Sequence, residues 1–187
     1  MDILTQFDFR ILDWMQTHLR CSFLDAVLPV FTHLGSAVSV ILIACLFIAF
    51  RKTRKTGLMM GVALLLGVII GNAVLKPLVA RIRPYDINTD ISLLISPMHD
   101  FSFPSGHSLA SFELATVLLR RDRRIGIPAL AAAILVAFSR LYLYVHYPSD
   151  VLAGILLGVL FGFLGVAIVD AAAEYLSRRK AGAGKTQ

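Results

Sequence analysis

The sequence predicts an all-α, polytopic membrane bundle of about five transmembrane helices, with an N-terminal amphipathic helix lying in the interface. Three observations predict it. First, 57% of the residues are hydrophobic and only 16% charged, where soluble domains run at about 45–50% and roughly 25%. Second, the apolar residues come in long blocks, with a mean hydropathy of +0.76, and a block of ~20 apolar residues reads as a span. Third, basic residues gather in the gaps between blocks. This composition excludes disorder and a water-soluble globular enzyme, and 187 residues leave no room for a sizeable soluble domain.

The elements follow in order. Leu4, Phe7, Ile11, Trp14, Met15 and His18 recur at helical spacing, while Asp2, Gln6, Arg10, Asp13 and Thr17 take other faces. Residues 1–20 therefore read as an interfacial helix too polar to span. The start Met-Asp-Ile has no basic region ahead of it, so no cleaved signal peptide is expected. The first apolar block runs from about Leu24 to Phe50, dented by Thr32, His33, Gly35 and Ser36. The others run over Gly57–Leu75, Phe103–Leu119, Ile125–Val145 and Val151–Tyr175. Residues 1–177 read as a single membrane domain and 178–187 as a basic cytoplasmic tail. Cys21 and Cys45 flank the first block, ~36 Å apart along one helix, so a disulfide between them is out of reach.

Charge sets the orientation. The net charge of +6 and pI near 9.7 could point to nucleic acid, but in a membrane chain basic loops mark the cytoplasmic side. Arg51, Lys52, Arg54 and Lys55 follow the first span. Arg120, Arg121, Arg123 and Arg124 separate the third and fourth, and Arg178, Arg179, Lys180 and Lys185 follow the fifth. With five alternating spans, these twelve of the 18 Lys and Arg fall on one side. The N-terminus is then outside, the C-terminus cytoplasmic, and nucleic acid is not the partner.

The remaining cations oppose that trend and need another reason. Lys76 ends the second span, and Arg83-Pro84 follows after six residues. Pro104-Ser105-Gly106-His107 opens the third, Ser139-Arg140 closes the fourth, and His146 precedes the fifth with Asp150 four residues on. Three cations, two histidines and a carboxylate thus meet at the outer face. Three fixed cations suit a dianionic phosphate and the charge it develops during transfer. Arg83 and Arg140 offer planar forks and Lys76 a point charge. Pro104 suits a first helical turn, Gly106 lets an anion near the backbone, and Ser105 adds a hydroxyl. If the last helix extends back to His146, Asp150 shares its face and can fix its tautomer, leaving the other nitrogen free to attack. His107 can then protonate a leaving oxygen and later activate water. The two histidines and Asp150 could also ligate a metal, but three adjacent cations would repel one.

The motifs Lys76-x6-Arg83-Pro84, Pro104-Ser105-Gly106-His107 and Ser139-Arg140-x5-His146-x3-Asp150, in this order, resemble the three-part signature of the type 2 phosphatidic acid phosphatase (PAP2) superfamily. The resemblance implies that Lys76, Arg83 and Arg140 bind phosphate with help from Ser105 and Gly106. It makes His146 the nucleophile, Asp150 its orienting partner and His107 the acid/base. It implies an α-helical bundle and metal-independent chemistry without a cofactor. A lipid phosphate or diphosphate at the extracytoplasmic face of the cell membrane is then the substrate. The one outer loop of size, about Arg81 to Phe101, is too small to enclose a soluble substrate, so a lipid tail enters from the bilayer. Undecaprenyl diphosphate is the first choice, with phosphatidylglycerophosphate, phosphatidate and lipid A phosphates as alternatives. Transfer to a lipid hydroxyl is the neighbouring activity. An anionic lipid transporter is the non-enzyme alternative, although its polar groups should run through the membrane rather than cluster at one face.

Other polar residues carry plainer expectations. His33 reads as helix packing and Arg81 as a surface anchor. Tyr142, Tyr144 and Tyr147 read as an interfacial belt. Asn72, one turn before Lys76, is placed to orient it. Glu113, about 9 Å beyond His107 along a helix, reads as a structural hydrogen bond before a proton relay or substrate contact.

Overall fold

A computed structural model of the chain describes residues 3–183, with the helix alone described for 180–183. Every regular element among these residues is helical. Helix α1 (Ile3–His18) packs on the bundle through Asp8, Leu12 and Met15. Leu4, Phe7 and Trp14 of its apolar stripe point outward, 54%, 59% and 53% exposed. Most of the stripe is therefore left free, as an interfacial helix requires, and only Met15 of it is buried against the bundle.

The first apolar block divides. Helix α2 (Ser22–Phe31) passes through a 3-10 turn, Thr32–Gly35, into α3 (Ala37–Ala49), with a 51° bend between them. Ser36 makes the break: its backbone is extended and its hydroxyl accepts the Ser39 amide, capping α3. Gly35 lets the turn press on α7 and α8, because a Cβ there would come 2.6 Å from Val136 Cγ1.

Helix α4 (Arg54–Leu66) widens into π-helical turns over Gly67–Leu75 and tightens again in α5 (Lys76–Val79). The wide turns lie where Leu109 and Glu113 press in; a Cβ on Gly67 would meet Leu109 Cδ2 at 2.5 Å. The short α6 (Pro84–Ile87) leads into an irregular loop, then α7 (Gly106–Arg121), α8 (Arg123–Tyr142) and α9 (Pro148–Ala183).

Helix α7 is the axis of the bundle, packed mainly against α8 and α9 and also touching α3 and α4. Gly154, Gly158 and Gly162 on α9 let the two backbones approach. A Cβ at these positions would lie 2.7 Å from Ser105 O, 2.5 Å from Leu109 O and 2.6 Å from Thr116 Cβ. Small residues at this spacing are the usual means of close helix packing in membranes.

Among the described residues, three helical stretches are long and apolar enough to cross a membrane: Arg54–Ile87, Arg123–Tyr142 and Pro148–Arg179. The bent α2–α3 pair makes a fourth if it counts as one span. Helix α7, at 16 residues, spans ~24 Å and does not meet that measure. Five crossings are therefore not established by length and hydropathy. The chain is an integral membrane protein, with a lipid-suited surface of exposed Val38, Ile41, Leu42, Leu46, Leu152, Leu156 and Leu160.

Candidate active site

The start of α7, the end of α8 and the start of α9 meet at one end of the bundle, where the Ser105 amide donates to Asp150 O at 3.1 Å. Two left-handed residues shape the approach. Ala80 (φ 48°) ends α5 and turns the chain back toward Arg83. Tyr144 (φ 58°) does the same after α8. Such a conformation costs a non-glycine residue strain and persists only when its surroundings enforce it. The Tyr144 hydroxyl donates to Asp13 Oδ1 at 2.7 Å and accepts from Asn88 Nδ2 at 3.2 Å.

The first pair of cations shares one carboxylate. Lys76 Nζ contacts Asp100 Oδ2, and Arg83 Nη2 donates to Asp100 Oδ1 at 2.5 Å. Arg83 is buried and almost fully bonded. Nε donates to Asp100 O at 2.8 Å and Nη1 to Val145 O at 2.7 Å. Burial alone would raise the Asp100 carboxyl, but the hydrogen bonds and charges of Lys76 and Arg83 outweigh it and hold it at about 2.

Arg140 lies apart from that pair. Nη1 donates to Thr32 Oγ1 at 2.7 Å and Nη2 approaches Met98 Sδ at 3.5 Å. Its buried Nε has no partner. With His107, His33, Thr32 and Met98 it lines a cavity of about 460 Å³. His107 is within electrostatic reach of Arg140, His146, Lys76 and Arg83.

His146 is buried, outside any helix. Nε2 lies 3.3 Å from Arg83 Nη1. A guanidinium can only donate, so Nε2 is the unprotonated nitrogen and Nδ1 carries the hydrogen. Nδ1 lies 3.4 Å from Ser102 Oγ and 3.7 Å from Asp150 Oδ2. The Ser102 hydroxyl in turn donates to Asp150 Oδ2 at 2.5 Å. Burial, the largest influence, lowers the imidazole to about 3; Arg83 and Arg140 push the same way and Asp150 opposes them. A neutral imidazole whose unprotonated Nε2 is released from Arg83 Nη1 can attack a bound electrophile.

Several expectations change. The last helix does not extend back to His146: it begins at Pro148. Asp150, at its third residue, accepts the Tyr147 amide at 3.0 Å, as the acid of a capping box does, and Ser102 stands between it and His146. Pro104 precedes the helix instead of opening it. Ser105 is the N-cap of α7, its hydroxyl turned to Ser108 and fully buried. Gly106 and His107 are in the first turn, where amides lack helical partners. A Cβ on Gly106 would meet only Asn72 Oδ1, at 3.5 Å, so the backbone there is open to a ligand.

Arg81 is no surface anchor. Its side chain is 16% exposed and pairs with the buried Asp8 and Asp150. Tyr142, Tyr144 and Tyr147 form no belt, being 2%, 0% and 0% exposed; the latter two close the core beneath the site with Leu12 and Tyr85. Asn72 makes no hydrogen bond to Lys76, and faces Gly106. His33 is exposed on the cavity rim. Glu113 is fully buried, with its carboxyl against the Gly67 backbone. Among the described residues no cluster of three His, Cys, Asp or Glu side chains is placed to hold a metal ion.

Residues 56–174 match the PAP2 superfamily. The chain belongs to this family. Relatives and solved structures agree with the assignment. The chain is 36% identical to an undecaprenyl-diphosphatase of Sulfolobus acidocaldarius over 67% of its own length and 61% of the relative's. It spans less than two thirds of that protein. It is 31% identical to the undecaprenyl-diphosphatase BcrC of Bacillus subtilis over 76% of its length and 74% of that relative's. The crystal structure of a transmembrane PAP2-type phosphatidylglycerolphosphate phosphatase from Bacillus subtilis superposes with a TM-score of 0.74. It is 30% identical in sequence, and the match covers 91% of this chain and 88% of that one.

The sequence did not single out Asp100, Ser102, Thr32 or Asp8. Ser102 lies just ahead of the Pro-Ser-Gly-His motif. Asp8 stands between Phe7 and Phe9, and an acid flanked by aromatics was its only signal.

Proposed function

We propose that this chain is a metal-independent membrane phosphatase that hydrolyses a lipid phosphate or diphosphate, undecaprenyl diphosphate first among them, through a phosphohistidine on His146. One observation carries the reading: a single carboxylate, Asp100, bridges Lys76 and Arg83 beside the unprotonated Nε2 of His146. Two cations that share one oxyanion are spaced to share another. A phosphoryl group taking that place lies beside the nucleophile, with Arg140, His107 and the amides of Gly106 and His107 on its other side. Ser105 contributes by capping the turn that presents those amides.

Each step balances. His146 Nε2 attacks phosphorus as the bond to the leaving oxygen breaks, and His107 donates the proton that oxygen needs. Ser102 and Asp150 hold Nδ1–H and the positive charge it acquires. His107, now a base, takes a proton from water; the water oxygen bonds to phosphorus, the P–N bond breaks, and inorganic phosphate leaves.

The relatives' names support polyprenyl diphosphate. The superposition on the phosphatidylglycerolphosphate phosphatase supports phosphatidylglycerophosphate as a second reading. Phosphate release by purified protein from a panel of undecaprenyl diphosphate, phosphatidylglycerophosphate, phosphatidate and lipid A phosphates separates them. Activity should persist in EDTA and fall with vanadate; loss in EDTA that a metal restores would refute the metal-independent route.

We assign five crossings, the third of them α7. Because α7 is sheathed by other helices, it needs no lipid-suited surface. Residues 1–177 then form the catalytic unit and the residues beyond them a basic cytoplasmic tail. An impermeant thiol reagent applied to intact cells should label a cysteine placed at Asn88 and spare one at Gly182; the reverse would put the site in the cytoplasm.

A further inference from the structure

Arg81 is none of the signature residues, falling at an unspecified position between Lys76 and Arg83, yet it is among the most constrained charges in the molecule. Nη2 donates to Asp8 Oδ2 at 2.7 Å. Nη1 donates to Asp150 Oδ1 and to Ser149 Oγ, both at 2.6 Å. Its guanidinium carbon lies 3.8 Å from the centre of the Tyr147 ring. Asp8 closes the ring of contacts by accepting the Ser149 amide at 3.0 Å and the Ser149 hydroxyl at 2.5 Å. A carboxylate from α1 thus serves the first turn of α9, where negative charge is favoured.

The two oxygens of Asp150 have different duties. Oδ2 faces His146 and accepts from Ser102 and the Tyr147 amide. Oδ1 accepts from Arg81. The grip on Oδ1 prevents the carboxylate from rotating away from His146. The charge matters as much as the grip. Asp8 and Asp150 are 1% and 0% exposed, and Arg81 is the cation bonded to both. Two buried carboxylates without it would compete for one negative charge, and one would take up a proton.

We propose that Arg81 and Asp8 are positioning residues of the reaction, through which the amphipathic helix α1 sets the orientation and ionisation of Asp150. This rests on the assignment of His146 as nucleophile. The titratable and charged groups around Asp150 are Arg81, Asp8 on α1, His146 and Tyr147, with Arg83 behind His146. Without Arg81, Asp150 faces the Asp8 carboxylate and binds a proton more readily. The ionised form that supports His146 is then lost at a higher pH as pH falls. Asp8→Asn acts differently: it removes a competing negative charge and leaves Arg81 wholly to Asp150.

The test uses the purified full chain in detergent with farnesyl diphosphate, measuring kcat and KM from about pH 4 to pH 9. Arg81→Met should lower kcat about 100-fold with KM changed less than about threefold, and move the acid limb of kcat upward by about one pH unit or more. Arg81→Lys should recover part of both losses. Asp8→Asn should lower kcat about tenfold without raising the acid limb. These opposite pH responses would not arise from loss of fold alone. An unchanged profile in Arg81→Met overturns the proposal, as does a lower kcat with an unmoved limb, or a raised KM with kcat intact. If Arg81→Met does not fold, Arg81→Lys and Asp8→Asn decide: a limb raised only in Arg81→Lys supports the proposal, and limbs that coincide overturn it. Wild-type hydrolysis that survives His146→Ala overturns both this proposal and the nucleophile assignment. Hydrolysis lost in His146→Ala with an unmoved Arg81→Met limb overturns the positioning role alone.

Discussion

The two sides of the site treat their cations differently. Lys76 and Arg83 bond directly to the Asp100 carboxylate, whereas Arg140 is buried and hydrogen-bonded to a hydroxyl and a thioether, with one N–H unpartnered and no carboxylate among the described residues bonded to it. A buried guanidinium facing neutral groups is costly unless a counter-ion arrives. On the proposed reading that counter-ion is the substrate. The Lys76–Arg83 side is shaped in advance by an anion of the chain's own, and the Arg140 side waits for one. An entering phosphate must therefore displace Asp100 while it gains Arg140.

The largest expected effect breaks the Arg140 side. Arg140→Lys keeps the charge but loses the fork that reaches Thr32 and the cavity together, so hydrolysis should fall about 10²- to 10³-fold. Rates equal to wild type would reduce Arg140 to a general positive charge. Next comes the Asp100 side. Asp100→Asn removes the competing carboxylate, and vanadate should inhibit at about tenfold lower concentration. Weaker inhibition would mean that Asp100 organises the two cations and is not displaced.

How much of this contrast was legible in the sequence depends on how far apart the partners lie in the chain. The helix ends that deliver Lys76, Arg83, His107, Arg140, His146 and Asp150 follow from the apolar blocks and from motif spacing, because each motif sits where a block stops. Arg81 looked like an anchor for the same reason. Its partners Asp8 and Asp150 are 73 and 69 residues away, and no local pattern signals such a pairing. The Ser36 break appeared as a dent because serine and glycine tolerate either a kink or a break; the contact of Gly35 with Val136 decides which. Tyr142, Tyr144 and Tyr147 looked interfacial because they stand at the end of an apolar block. The left-handed Tyr144 folds them inward, and its enforcing bonds to Asp13 and Asn88 are again long-range. Glu113 and the π-helical turns beside it are a matter of mutual packing, invisible to hydropathy.

The smallest effect concerns pH and stability. The folded state holds the His146 imidazole at about 3, below its ordinary value near 6.5. Folding therefore favours the neutral ring. That contribution is fully present above about pH 6.5 and is lost progressively as pH falls toward the folded value. Thermal unfolding of the ligand-free protein should show a midpoint that drops between pH 6.5 and pH 4, with a shallower drop in His146→Gln. Equal slopes would mean that His146 is not the group responsible.

The central claim is that the phosphoryl group passes through His146. Rapid-quench mixing of enzyme with farnesyl diphosphate labelled in its terminal phosphate, followed by peptide mapping, tests it most directly. The account predicts an acid-labile, base-stable phosphoryl group on the His146 peptide during the first turnover, absent from His146→Ala and retained in an Arg140→Lys protein that turns over slowly. Phosphate released at full rate with no label on that peptide at any quench time would contradict it and leave direct attack by water as the route.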